Sequence, residues 1–361
     1  MRRLRPPSGR WTGGRFVDGL EERAAEVLPE PVFRYLCQGA REGVSAAEAT
    51  AAWDRFRFTP RVLRDVTDVR TGTSLLGTEV ATPIALAPTT LQRAAHPEGE
   101  IATARAAAAA GALMVVSSNA GSTFEDIATT GVDWWIQLYV MAERQTGLPL
   151  LERAVAAGAK AVVLTVDTPV VGTKYGGAGP SVWEVAEPGW VRANFPPGYG
   201  GSPGDEKATD LGPHDIDWLS KTTGLPVVVK GVLRPSDARR CLDAGAAAVW
   251  VSNHGGRQLD YTAATADMLA AVVAEVGGSS EVYVDGGVRA ARHVVTALAL
   301  GARAVFLGRL PLYAVAVDGA DGVRRMFGDL DEELIDALTL AGCPSVTDVP
   351  PGILAPPLRD R

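Results

Sequence analysis

The chain has 361 residues, with 35 basic against 42 acidic side chains, a formal net charge of −7 and 47% hydrophobic residues. That composition supplies a large apolar core and argues against nucleic acid as a partner, because a nucleic-acid surface needs concentrated cations. Cys37, Cys241 and Cys343 are scattered without CxxC spacing, so neither a disulfide framework nor a metal site is expected, and a reducing cytoplasm fits best.

In chain order, residues 1–19 read as a flexible basic arm, with Arg2, Arg3, Arg5, Arg10 and Arg15 among prolines and glycines. The arm lacks the apolar stretch of a secretory signal, and no later run is long enough to span a membrane. Residues 20–361 read as a single domain, opening with helices over 20–58. From residue 84 a short apolar run, a polar tip and an alanine-rich helical segment alternate. The runs are Ile84–Ala87, Leu113–Val116, Trp134–Leu138, Ala161–Val166, Val227–Val229, Ala248–Val251, Val282–Val284 and Ala304–Leu307. Helices are expected at Glu98–Ala110, Leu150–Ala157, Pro235–Ala244, Ala264–Val276 and Ala290–Leu300, several stopped by glycine, as at Gly111 and Gly245. Eight such units with near-continuous apolar strands predict a parallel α/β architecture, the (β/α)8 or TIM barrel. Residues 175–213, rich in glycine and proline, interrupt the pattern after strand four and read as an active-site loop or lid. A charged amphipathic helix is expected over 321–340.

Residues just past the strands' C-terminal ends converge on a barrel's active site. Those positions hold Pro88-Thr89-Thr90, Ser117-Ser118-Asn119, Gln137 with Tyr139, Thr165 with Asp167, Lys230, Ser252 through Arg257, Asp285-Gly286-Gly287 with Arg289, and Gly308-Arg309. A serine or threonine there often only caps the next helix. The set as a whole is far more polar than capping requires. Glycine amides and the guanidinium forks of Arg289 and Arg309 after strands seven and eight suit a phosphate. Lys230 suits either stabilisation of a developing anion or a Schiff base. His254 suits proton abstraction, with Asp167 to fix its tautomer and Arg257 nearby to hold an anionic substrate.

The segment Ser252-Asn-His-Gly-Gly-Arg-Gln-Leu-Asp260 closely resembles the signature of the FMN-dependent 2-hydroxy acid oxidases and dehydrogenases, whose members include glycolate, lactate and 4-hydroxymandelate oxidases. The similarity extends over about 30–345 and takes in Ala87-Pro88-Thr89, Gln137-Leu138-Tyr139, Thr165-Val166-Asp167-Thr168-Pro169, Val229-Lys230-Gly231, Asp285-Gly286-Gly287 and Leu307-Gly308-Arg309. The resemblance implies FMN as cofactor. Pro88, Thr89, Ser117, Gln137, Thr165 and Ser252 would hold its ring and ribityl chain, and Lys230 would neutralise the reduced ring. Asp285, Gly287, Arg289, Gly308 and Arg309 would hold the phosphate end. It further implies His254 as base, Asp167 as its orienter, Arg257 and Tyr35 on the substrate carboxylate, Tyr139 at the substrate hydroxyl, oxygen as acceptor, and a homotetramer.

The chain departs from the family pattern after Pro169. Val170-Val171-Gly172-Thr173-Lys174 stands where relatives carry an arginine-rich run, so Lys174 takes the place of a second carboxylate-binding arginine without its bidentate fork. Asn119 stands where glycolate oxidases have tryptophan. Smaller walls suggest a bulky or aryl, mandelate-like 2-hydroxy acid. The same departures fit a tailoring oxidase acting on a natural-product intermediate or peptide. A flavin-free Schiff-base barrel and a catalytically silent scaffold are the readings from other classes.

Overall fold

The computed structural model describes residues 14–175, 179–187, 189–196 and 207–355. Eight strands form a closed barrel. They are β1 (Ile84–Leu86), β2 (Met114–Ser117), β3 (Trp134–Leu138), β4 (Val162–Thr165), β5 (Val227–Val232), β6 (Ala248–Val251), β7 (Glu281–Asp285) and β8 (Ala304–Leu307). Each pairs in parallel with its neighbours, and β8 closes against β1.

A period of two along these strands sorts every side chain. One parity (Ile84, Val116, Ile136, Leu164, Val249, Val284) packs outward into the helical shell. The other (Ala85, Val115, Trp135, Val163, Val228, Trp250, Tyr283, Phe306) fills the interior. Trp250 and Phe306 stack with ring centroids 3.9 Å apart, and Trp135 meets Tyr283 at 5.6 Å. These aromatics make the interior a solid floor rather than a pore. One step further along the inward parity come Ser117, Gln137, Thr165, Lys230, Ser252 and Asp285, all buried. The apolar floor therefore ends in a polar rim, and that rim is the base of the site.

Three features depart from the sequence expectations. A hairpin of Thr73–Leu75 and Thr78–Val80 adds Leu75 and Val80 to the interior cluster. Residues 14–19, expected to belong to a flexible arm, are docked: Phe16 and Val17 are buried, and Arg15 bonds both Asp18 and Glu333 at 2.7 Å. The rest of that arm, 1–13, lies outside the described residues. The C-terminal helix begins at Arg309, well before 321, and runs to Leu340 with a break at Asp318 and Gly319.

The described parts of the 175–213 insertion lie against the mouth. Trp183, in the short helix Val182–Val185, meets Tyr35 edge-on at 5.5 Å. Asn194 is buried, accepting from Phe124 N at 2.9 Å and donating to Ser122 O at 3.0 Å. Among the described residues no helix is long and apolar enough to cross a membrane.

Candidate active site

Two N-terminal helices complete the mouth. The helix Val44–Asp54 crosses the loops after β6 and β7 at backbone contact distance. A Cβ on Gly256 would fall 2.4 Å from Ala46 N, and one on Gly287 2.2 Å from Ala49 O, so only glycine fits at either position. Both also have left-handed backbones, with φ of 73° and 77°. Trp53 Nε1 donates to Gly286 O at 2.7 Å, and Thr50 Oγ1 to Gly287 O at 3.0 Å. The Asp260 carboxylate accepts from Gly43 N and Ser45 N, both at 2.9 Å, capping this helix from the far end of the β6 loop.

The helix Glu30–Cys37 contributes the carbonyls at its C-terminal end. Arg257 donates to Tyr35 O at 2.7 Å and Gln38 O at 2.8 Å, and Arg309 Nε donates to Leu36 O at 3.2 Å. Unsatisfied carbonyls at a helix C-terminus are a natural seat for cations. The Arg257 guanidinium also lies 4.8 Å from the centre of the Tyr35 ring.

These elements surround a cavity that opens at the mouth. Arg257, Arg289 and Arg309 all line it, and none has an ion-pair partner among the described residues. Among the described residues the Arg289 guanidinium donates only to Val288 O, at 2.9 Å. Burial, then Arg257 and Arg289, lower the Arg309 pKa to about 10. Burial likewise lowers that of Arg289. Crowded, unneutralised guanidiniums require an anion. Beside them lie the left-handed Gly286 and Gly287, and Gly308, which has open space where a Cβ would stand and precedes the helix beginning at Arg309. This end of the cavity fits a phosphate at a helix N-terminus.

At the cavity floor Lys230 Nζ donates to Ser252 Oγ at 3.0 Å and lies 3.5 Å from Asp285 Oδ2. Ser252 Oγ in turn donates to Asp285 at 2.8 Å. The lysine is thus ion-paired and anchored, an arrangement that suits a fixed positive charge rather than a free amine nucleophile. Gln137 Nε2 donates to Thr165 Oγ1 at 3.0 Å on the adjoining strands.

His254 follows β6 with φ of 59°, and the backbone stays left-handed through Gly255 and Gly256. A left-handed non-glycine residue costs roughly 1–2 kcal/mol, so the loop holds this imidazole against local preference. Nδ1 lies 2.9 Å from Asp167 Oδ1, which leaves Nε2 for the cavity. Thr168 Oγ1 donates to the same carboxylate oxygen at 3.1 Å, while Oδ2 has no partner among the described residues. Burial, then the charge of Lys230, push the His254 pKa below its ordinary value, and Asp167 opposes them. Burial tends to raise the Asp167 carboxyl, yet His254 and Lys230 hold it below the usual carboxylate range. The Tyr139 phenol is raised by burial and by Asp167. A neutral imidazole beside an ionised carboxylate is the state a general base needs.

The model of the FMN-dependent dehydrogenases matches residues 24–356. The chain belongs to that family. It is 40% identical over 340 residues to glycolate oxidase 3 of Arabidopsis thaliana, covering 91% of this chain and 92% of that protein. It is 41% identical over 339 residues to the 4-hydroxymandelate oxidase of Amycolatopsis orientalis, covering 91% and 94%. A solved mandelate oxidase variant holding a C4a-OH-FMN adduct superposes with a TM-score of 0.84 at 40% identity, over 93% of this chain and 97% of that one. This FMN-dependent dehydrogenase is therefore a flavoenzyme that oxidises the CH–OH group of 2-hydroxy acids.

The fold of this FMN-dependent dehydrogenase brings most of the sequence candidates to one cavity. Tyr35, Pro88, Thr89, Ser117, Asn119, Gln137, Tyr139, Thr165, Lys230, His254, Arg257, Asp285, Gly287, Arg289, Gly308 and Arg309 all line it. Asp167 and Ser252 stand one bond behind, on His254 and Lys230. Lys174 does not line it: its ammonium donates to Gly172 O at 3.0 Å and Arg257 O at 3.2 Å, and burial, then Arg257 and Lys207, lower its pKa to about 8. Val171 is exposed and likewise outside the lining. Sequence reasoning assigned no role to Thr168, which accepts from Gln258 Nε2 at 2.7 Å, or to Asp260. Both stand inside quoted motifs, and that was the available signal.

Proposed function

We propose that this enzyme oxidises a bulky, aryl-bearing 2-hydroxy acid of the mandelate type to the 2-oxo acid, passing the electrons to oxygen with release of hydrogen peroxide. The observation that carries the reading is the His254–Asp167 pair opening on the same cavity as the unpaired Arg257. Arg257 and Tyr35 receive the substrate carboxylate and Tyr139 faces its hydroxyl. His254 Nε2 takes the substrate proton, and Asp167 steadies the imidazolium that results. Arg289, Arg309, Gly287 and Gly308 would hold the FMN phosphate, with Asp285 toward the ribityl chain. Pro88, Thr89, Ser117, Gln137 and Thr165 would line the flavin, and Lys230, anchored from behind by Ser252, would face the negative charge of its reduced form. FMN supplies the two-electron acceptor.

Identity alone does not separate glycolate from mandelate, since the two groups of relatives match equally well. Asn119 supports the larger substrate, because it lines the cavity where glycolate oxidases place tryptophan. The three free thiols suit a reducing cytoplasm, and a homotetramer completes the proposal. The test is anaerobic flavin bleaching by glycolate, lactate and each mandelate enantiomer. One mandelate enantiomer is expected to bleach fastest. Equal rates with glycolate and mandelate would overturn the aryl assignment, and a yellow protein that no simple acid bleaches would favour a tailoring substrate.

A further inference from the structure

Beside Tyr139, and not itself among the lining residues of the cavity, stands a cation outside every motif. Lys207 belongs to the insertion, where a backbone bond from Ala208 N to Val140 O (2.8 Å) and a bridge between Met141 and Lys207 tie it to the chain just after β3. Its Nζ lies 3.8 Å from the centre of the Tyr139 ring, and Tyr139 lines the cavity. The side chain is partly buried and has no hydrogen-bond acceptor or ion-pair partner among the described residues. Asp167 attracts it from further away, but that carboxylate is already bonded to His254 and Thr168.

A π face offsets only part of what desolvating an ammonium costs, so the partly buried Lys207 keeps donors open to an anion. Lys174 does not compete for that anion, because its own ammonium is turned to the carbonyls of Gly172 and Arg257. Arg257, which lines the cavity, and these two lysines behind the lining form a group of three cations whose nearby carboxylate, Asp167, is already engaged. We propose that Lys207 is the second cation on the substrate carboxylate, acting with Arg257 as a substrate-positioning residue supplied by the insertion. The assignment rests on the 2-hydroxy acid reading above.

The test compares flavin-loaded parent enzyme with Lys207→Gln, Lys207→Arg and Lys174→Gln. Calorimetry measures binding of phenylglyoxylate, and steady-state assays compare mandelate with its methyl ester, which has no carboxylate. Lys207→Gln is expected to weaken phenylglyoxylate binding about tenfold or more, as loss of a charge-assisted bond does. KM for mandelate should rise with it while KM for the ester stays unchanged, and Lys207→Arg should recover most of the loss. Phenylglyoxylate binding within about twofold of the parent would overturn the assignment, as would an equal rise in KM for acid and ester, which marks a merely structural role. So would a loss confined to Lys174→Gln. If the parent oxidises no 2-hydroxy acid, the function itself falls and this assignment with it. If the parent is active and Lys207→Gln is indistinguishable from it, the assignment alone falls.

Discussion

Asp167→Asn keeps the shape of the His254 partner and removes its charge. The bond lost is the 2.9 Å contact between Asp167 Oδ1 and His254 Nδ1. A hydrogen bond to a charged group contributes about 1.5–3 kcal/mol, and this one strengthens as the imidazole gains its proton. At 1.36 kcal/mol per factor of ten, kcat should fall roughly 10- to 150-fold. The loss grows larger if the new amide donates to Nδ1, because the remaining proton then occupies Nε2 and the base has no lone pair for substrate. KM for the carboxylate should change little, since Arg257 is held by Tyr35 O and Gln38 O and not by Asp167. The pH profile adds a signed prediction. His254 works when neutral, and burial together with Lys230 already holds its pKa below 6.5 against the opposing pull of Asp167. Removing that pull lowers the pKa further, so the acid limb of kcat should move to lower pH. Stopped-flow flavin bleaching under nitrogen, across acid to neutral pH, reads both effects. A loss in kcat smaller than about threefold, or an acid limb displaced upward, would refute the pairing as the source of basicity.

Arg309→Met should loosen FMN roughly 10- to 150-fold by removing a guanidinium from the phosphate end, read as flavin released on ultrafiltration. Retention equal to the parent would mean that Arg289 and the glycine amides suffice. Gly287→Ala should destabilise the fold by about 2–4 kcal/mol in denaturant titration, because its Cβ would meet Ala49 O at 2.2 Å on a left-handed backbone. Asp331 is a half-buried carboxyl raised to about 6 by desolvation, with Thr82 donating to it at 2.9 Å. A raised carboxyl favours the folded state at low pH and disfavours it as pH climbs from the unfolded to the folded pKa. Asp331→Asn should therefore be more stable than the parent above neutrality, by up to ~3 kcal/mol, and the gain should vanish in acid. An equal gain at every pH would refute the desolvation argument.

The barrel was legible because parallel strands buried on both faces leave continuous apolar runs, and all eight runs became strands within a residue or a few at each end. The polar tips were legible for the same reason: Ser117, Lys230 and Asp285 have no place in an apolar run unless they end it at a mouth. The hairpin Thr73–Leu75 and Thr78–Val80 was not, since strands of 3 residues are too short to show a period. The early start of the C-terminal helix was masked by Pro311, which reads as a breaker yet is tolerated in a first turn. Phe16 and Val17 gave no sign of their partners because those lie some three hundred residues away, as with Val17 N on Asp329. Carbonyls such as Leu36 O and Gln38 O hold arginines without any signature, because every residue carries the same backbone. Lys207 follows Asp205 and Glu206 and reads as one more surface charge. Lys174 shows the converse limit, since a motif position does not say where a flexible side chain points.

The Asp260 cap makes the β6 loop and the helix Val44–Asp54 a single heritable unit, although more than two hundred residues separate them in the chain. A chimera that imports the β6 loop of a relative without its N-terminal helix would set a foreign Gly256 position against Ala46 and a foreign acid beneath Gly43 and Ser45. A single crossover anywhere between the two segments separates the pair, so a transplant of the catalytic loop succeeds only when the N-terminal helix travels with it.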